Sequence, residues 1–173
     1  MESFWYVLHS KPRKEEFLLA QLQSHGFEAY CPLVRVTTVN PRARKVRPYF
    51  PGYVFLSADL SQASASSLHW MPGAIGFVAF DGTPARVPDE LVPSIRQRVD
   101  EVNAAGGELF HELESGAPVR VTEGPFAGYE AIFDARLPGT ERVRVLIKLL
   151  QQRRQLTVEL PAGQIRRQPV RRS

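Results

Sequence analysis

The sequence predicts an α+β protein in two parts, an N-terminal α/β sandwich of about 100 residues and a small C-terminal β-barrel. Three observations predict this. The first part alternates β-branched, aromatic runs with helical apolar stripes. Beyond Val119 the apolar period shortens to two. Between them lies a stretch, Asn103-Ala104-Ala105-Gly106-Gly107, whose flexible residues follow a helical pattern and break the composition.

In order, Phe4 to His9 (FWYVLH) has strand composition. Lys11-Pro12 leads into a helix over residues 13–24. There Phe17, Leu18, Gln21 and Leu22 recur at helical spacing, and Gly26 stands just past the end as a C-cap. Phe27 to Val39 is a second extended stretch broken by Pro32, and Tyr53 to Leu56 is a third strand. Asp59 is placed to cap a helix reaching about Met71, and Ile75 to Phe80 forms a fourth strand. Pro88-Asp89 opens a last helix, with Val92, Ile95, Val99 and Val102 at spacings of 3, 4 and 3 along one stripe.

The expected boundaries are a first domain over 1–102, a flexible acidic linker over 103–116 and a second domain over 117–173. In the second domain Val119 and Val121 alternate with polar neighbours, as do Ala131 and Phe133, then Val143, Val145, Ile147 and Leu149, then Leu156, Val158 and Leu160. Turn signals at residues 123–128, 138–139 and 151–154 separate them. A core this small is marginal alone. The segment Leu146 to Leu156 (LIKLLQQRRQL) also has high helix propensity, so its local signal goes either way.

Composition excludes several classes of function. No apolar run approaches the roughly 18 residues that span a bilayer, and Met1-Glu2-Ser3-Phe4-Trp5 lacks the build of a secretion signal. One cysteine, Cys31, excludes an internal disulfide framework, fits a reducing cytoplasm and, with four scattered histidines, leaves no zinc-ligand spacing. A net charge of +4 is a moderate lean toward polyanions. It is uneven: residues 101–115 carry four acids and no Lys or Arg, whereas residues 116–173 carry 11 basic and 5 acidic side chains.

No catalytic constellation emerges, so the chain is read as a non-enzyme without cofactor or metal. Cys31, in Ala29-Tyr30-Cys31-Pro32, reads as a structural thiol, and an enzyme built on it is a remote reading. His9, His25, His69 and His111 suggest no ligand set. Glu15-Glu16 and Asp89-Glu90 fall in first helical turns, where they suit the macrodipole. Residues 123–128 hold two glycines but lack the Lys-Ser/Thr of a phosphate loop.

Surface built for contact is the remaining candidate. Arg42, Arg44, Lys45 and Arg47 form a basic run between Pro41 and Pro48, either a solvated hairpin tip or a phosphate-contacting finger. In Phe50-Pro51-Gly52-Tyr53-Val54-Phe55-Leu56, strand geometry puts Tyr53 and Phe55 on one face and Val54 and Leu56 on the other. Either this strand is central and buried on both faces, which the pattern alone favours, or one face awaits another protein.

Five segments in order resemble the NusG family of transcription elongation factors across nearly the whole chain. They are Trp5-Tyr6-Val7-Leu8; Phe50-Pro51-Gly52-Tyr53-Val54-Phe55, similar to "FPGYVF"; residues 72–78 (PGAIGFV); residues 84–88 (PARVP); and residues 119–128 (VRVTEGPFAG), similar to the KOW motif. The form of residues 122–133 leans toward the RfaH-like specialised paralogues. The resemblance implies an NGN-type domain, an antiparallel sheet flanked by helices, and an SH3-like KOW barrel with turn residues Gly124, Phe126 and Gly128. The alternative, as in RfaH, is a C-terminal α-helical hairpin over the first domain.

The resemblance further implies a cytoplasmic, monomeric bacterial elongation and antitermination factor that suppresses pausing. Phe50, Tyr53 and Phe55 would grip the clamp helices of the RNA polymerase β′ subunit, reversing the preference for core packing. Ser64, Ser66 and Ser67 would meet the β-subunit gate loop. Lys11, Arg13 and Lys14 would reach non-template DNA, although Phe17, Gln21 and Pro72 occupy the family's other DNA positions. Ile147 and Leu150 would contact ribosomal protein S10 or Rho: Leu149 reads as barrel core, and Leu150 breaks the alternation to point outward. The rival reading is a KOW-containing, ribosome-associated RNA-binding protein.

Overall fold

The computed structural model describes residues 2–37, 42, 45–61, 65–109 and 127–159. In chain order the elements are β1 (Phe4–Ser10), α1 (Glu15–Ser24), β2 (Glu28–Tyr30), β3 (Leu33–Thr37), β4 (Val46–Pro48), β5 (Tyr53–Ala58), α2 (Ala65–His69), β6 (Ala74–Phe77), β7 (Ala79–Phe80), β8 (Thr83–Pro84), α3 (Leu91–Ala104), β9 (Glu108–Leu109), α4 (Ala127–Phe133) and α5 (Gly139–Glu159).

The main sheet is antiparallel with order β2-β5-β1-β6. The register pairs Val7 with Phe55, Leu8 with Val54 and His9 with Tyr53. Because successive side chains alternate, this register divides the two central strands between two cores. One core holds Leu8, Val54, Leu56 and Ala58 against Leu18 and Leu22 of α1 and Leu68 of α2. The other holds Val7 and Phe55 against Leu91, Val92, Ile95, Val99 and Val102 of α3. That set is the apolar stripe expected from the sequence, extended by Leu91.

Helix α1 ends as the sequence predicts. Gly26 sits at φ +85°, its amide donates to the Gln23 carbonyl at 3.0 Å, and the Phe27 amide donates to Leu22 at 3.0 Å. These two bonds are the Schellman pattern, and the left-handed position favours glycine. Of the helix expected from Asp59 to about Met71, α2 spans Ala65–His69, and residues 62–64 lie outside the described residues. Strand β3 pairs antiparallel with β4 and parallel with β9.

Residues 103–109, expected to open a flexible linker, are instead structured. Asn103 accepts the Arg35 amide at 2.8 Å through Oδ1 and donates to the Leu33 carbonyl at 3.2 Å. An amide side chain thus extends the β3 ladder and ties down the end of α3. The remainder of the expected linker, residues 110–116, lies outside the described residues.

The largest departure is C-terminal. The segments around Ala131 and Phe133, and from Val143 to Val158, expected as barrel strands, are the helices α4 and α5. The helical-hairpin alternative is the one observed. Its physical basis is a second periodicity in the same residues. Arg142, Leu146, Leu149 and Leu150 fall at helical spacing and all four are buried. They pack with Tyr49, Phe50 and Phe55, so tertiary burial overrides the period-two pattern. Gly128, expected in a KOW turn, is inside α4, where an added Cβ would come within 3.3 Å of Leu149. Leu150, expected to point outward, is 1% exposed. Gly124, Phe126 and the expected strands at 119–121 and Leu160 lie outside the described residues.

Candidate docking site and its helical cover

Phe50, Pro51, Gly52 and Tyr53 form a β-turn into β5, closed by the Tyr53 amide donating to the Phe50 carbonyl at 3.2 Å. Proline at the second position presets φ. Gly52 at the third has φ +87°, as a type II turn requires. Both backbone polar groups of Gly52 are anchored. Its amide donates to Glu15 Oε2 at 2.7 Å, and its carbonyl accepts the Ser10 amide at 2.7 Å.

The turn and β5 assemble an aromatic cluster. Phe50 meets Tyr49 edge-on at 5.2 Å between ring centroids and Phe55 edge-on at 5.8 Å. Phe55 faces Tyr30 at 6.5 Å, and Tyr53 stacks on His9 at 4.7 Å with the rings 6° from parallel. Such offset and edge-on arrangements match the quadrupoles of the rings. Arg96 of α3 lies over the Tyr30 ring, 4.5 Å from its centroid. Burial pushes the Tyr30 phenol up to about 12, Arg96 acting against that and Asp100 and Cys31 with it. Burial also raises the Tyr53 phenol above its ordinary value.

The structure thus brings Phe50, Tyr53 and Phe55 into one cluster and shows which way β5 is packed. The strand is central, with Phe50 and Phe55 fully buried and Tyr53 partly exposed. What covers this face, beside α3, is the C-terminal hairpin, with Ile132, Leu146, Leu149 and Leu150 completing the same core. Exposing an aromatic cluster of about 300 Å² to water costs several kcal/mol at about 25 cal/mol per Å².

Polar contacts fix the hairpin over the cluster. The Tyr49 hydroxyl donates to the Ile132 carbonyl of α4 at 2.9 Å. Arg142 of α5 donates through Nε to the Tyr49 carbonyl at 2.9 Å and through Nη1 to the Leu137 carbonyl. Its guanidinium carbon stands 4.0 Å from the Tyr49 ring centroid. From the other side, Arg98 Nε of α3 donates to the Phe133 carbonyl at 2.7 Å, satisfying the C-terminal end of α4. The Tyr129 hydroxyl approaches Glu90 Oε1 at 3.4 Å. At the α4–α5 turn, hydrogen bonds from Arg136 hold the Asp134 carboxyl below the ordinary carboxylate range.

The other expected contact residues are spread over separate segments. Lys11, Arg13 and Lys14 are exposed in the turn before α1, Arg13 at φ +60°. Arg42, Lys45 and Arg47 are exposed around the β3–β4 connection, and Ser66 and Ser67 are exposed on α2. Arg44 and Ser64 lie outside the described residues. Ile147 is half-buried. Cys31 is buried, as a structural thiol would be. Sequence reasoning missed Glu15, Tyr49, Arg98 and Arg142. Tyr49 adjoined the aromatic motif and was the one that pattern offered. The arginines carry no local signal for this role, because the carbonyls through which they tie the hairpin to the first part of the chain lie 35 residues away for Arg98 and 93 for Arg142. Among the described residues no group of three or more His, Cys, Asp or Glu is placed to hold a metal, and no helix is long and apolar enough to cross a membrane.

The family model NusG, described as "Transcription termination factor nusG", matches residues 3–96, more than half of the chain. A transcription termination/antitermination protein NusG of Vibrio vulnificus is 28% identical over 175 residues, covering 93% of each chain. One from Deinococcus radiodurans is 28% identical over 187 residues, covering 93% of this chain and 97% of that one. A solved structure described as "Domain interaction in Thermotoga maritima NusG" covers 70% of this chain and 67% of its own, with 21% identity and a TM-score of 0.39.

Proposed function

This chain belongs to the NusG family, and we propose that it is a specialised, self-masked member whose aromatic cluster docks on RNA polymerase once its own helical hairpin moves aside. NusG-family proteins are transcription factors rather than enzymes, and RNA polymerase is the kind of partner they act with. The finer assignments are our reading. Phe50, Tyr53 and Phe55 grip the β′ clamp helices, and Ser64, Ser66 and Ser67 face the β gate loop. The basic residues Lys11, Arg13, Lys14, Arg42, Arg44, Lys45 and Arg47 track non-template DNA. Released from the cluster, residues 117–173 refold as a KOW barrel that recruits ribosomal protein S10 or Rho through Ile147 and Leu150.

One observation carries this reading: the cluster that the family resemblance assigns to polymerase is sealed by the chain's own C-terminal helices. A surface buried by a detachable hairpin is available only in the open fraction. Apparent affinity falls by that fraction, so a closing preference of about 1.4–2.8 kcal/mol weakens binding roughly 10- to 100-fold. Bound across the cleft, the factor favours the closed clamp only by its differential affinity. A preference of about 1–2 kcal/mol changes pause occupancy about 5- to 30-fold.

The test is binding to purified polymerase by the intact chain and by Tyr53→Ala, chosen because Tyr53 is partly exposed at the core's edge whereas Phe50 and Phe55 are fully buried. We expect Tyr53→Ala to weaken binding at least tenfold with an unchanged circular dichroism spectrum. Equal binding by both proteins would refute the assignment and favour the ribosome-associated alternative.

A further inference from the structure

We propose that Tyr49, outside the docking cluster proper, is the latch residue that sets how often the hairpin opens; this rests on the reading that the hairpin is a cover. Tyr49 is held by both covering helices at three different groups. Its hydroxyl donates to the Ile132 carbonyl of α4, its carbonyl accepts Nε of Arg142 from α5, and its ring face receives the same guanidinium 4.0 Å from the centroid. Its own position is rigid: its amide donates to the Pro32 carbonyl at 2.9 Å and Phe50 packs edge-on against its ring. A fixed residue that ties two helices at once couples their release. Neither helix can leave without breaking a contact to Tyr49.

The contact with Arg142 is selective in kind. A planar guanidinium can lie on a ring and donate sideways to a carbonyl, whereas an ammonium is a point charge without that fork. Arg142 is 1% exposed, so these bonds are made where water does not compete. Because Tyr49 precedes Phe50 directly, the latch sits beside the masked turn, and Gly139 at the start of α5 lies against the Pro51 ring.

The experiment is hydrogen exchange on the intact chain, without polymerase, comparing α4 and α5 amides with those of β1 and β5. Tyr49→Phe removes only the hydroxyl bond and should speed exchange in α4 and α5 about 2- to 10-fold. Arg142→Lys should speed it more, and the double variant should fall short of the product of the two, since both act on one residue. In all three, β1 and β5 exchange should stay at the wild-type rate. Unchanged α4 and α5 exchange in both single variants would overturn the latch, as would equal acceleration in β1 and β5, which marks global unfolding. A parallel polymerase-binding assay of the same variants separates the two readings: faster hairpin opening with no gain in binding refutes the cover reading and leaves the latch standing.

Discussion

The carboxylate of Glu15, at the start of α1, accepts the amide of Gly52 at 2.7 Å, joining two positions 37 residues apart. The bond gives Glu15 a use beyond the helix dipole. It sets the turn from which Phe50 and Tyr53 project, and Glu15 is correspondingly buried. Replacing it with alanine leaves a half-buried amide without its carboxylate partner and should cost about 1–2 kcal/mol. Glu15→Gln keeps an acceptor and should recover most of that loss. Urea unfolding of the two variants measures the difference.

Two glycines should respond differently to the same substitution. At Gly52 an added Cβ meets only the His9 ring at an ordinary 3.7 Å, so Gly52→Ala is penalised by its φ of +87° alone. We expect about 1–2 kcal/mol of lost stability, read by urea unfolding as a shift of the whole N-terminal fold.

Gly139 carries no such backbone constraint, but a Cβ there would come within 2.8 Å of the Pro51 ring. Gly139→Ala should therefore leave β1 and β5 protected and loosen the hairpin. Limited proteolysis should cut α5 of this variant several-fold faster than in the wild type, with the N-terminal part intact.

Tyr30 provides a pH prediction. Its folded phenol, at about 12, stands above the ordinary value of 10.0, so folding favours the neutral form. The stability this contributes is complete below pH 10 and lost as pH rises from 10 to 12. Ultraviolet titration should show a phenolate signal near pH 12 that is absent in Tyr30→Phe. Arg96→Ala, removing the cation over the ring, should move that titration higher still.

The N-terminal fold was largely legible because its signals are local. The stripe Val92-Ile95-Val99-Val102, the C-cap at Gly26 and the continuous aromatic and branched run Tyr53–Leu56 each fix an element within a few residues. The C-terminal helices were legible only as an ambiguity. Residues 143–149 alternate with period two, while Arg142, Leu146, Leu149 and Leu150 repeat with the helical period. Which one is realised depends on docking against Tyr49, Phe50 and Phe55, a contact no local window contains. The candidate site shows the same division. Its rings were marked by the motif, and its polar fastenings, Arg98 to Phe133 and Arg142 to Tyr49, were not.

The most direct test is to fasten the hairpin covalently. A disulfide between Pro51→Cys and Gly139→Cys, positions that touch across the interface, would hold α5 over the cluster in oxidant and free it in reductant. Polymerase affinity of this double variant should be at least tenfold weaker oxidised than reduced. Equal affinity in the two redox states, with the disulfide verified by mass spectrometry, would contradict a docking surface beneath the hairpin.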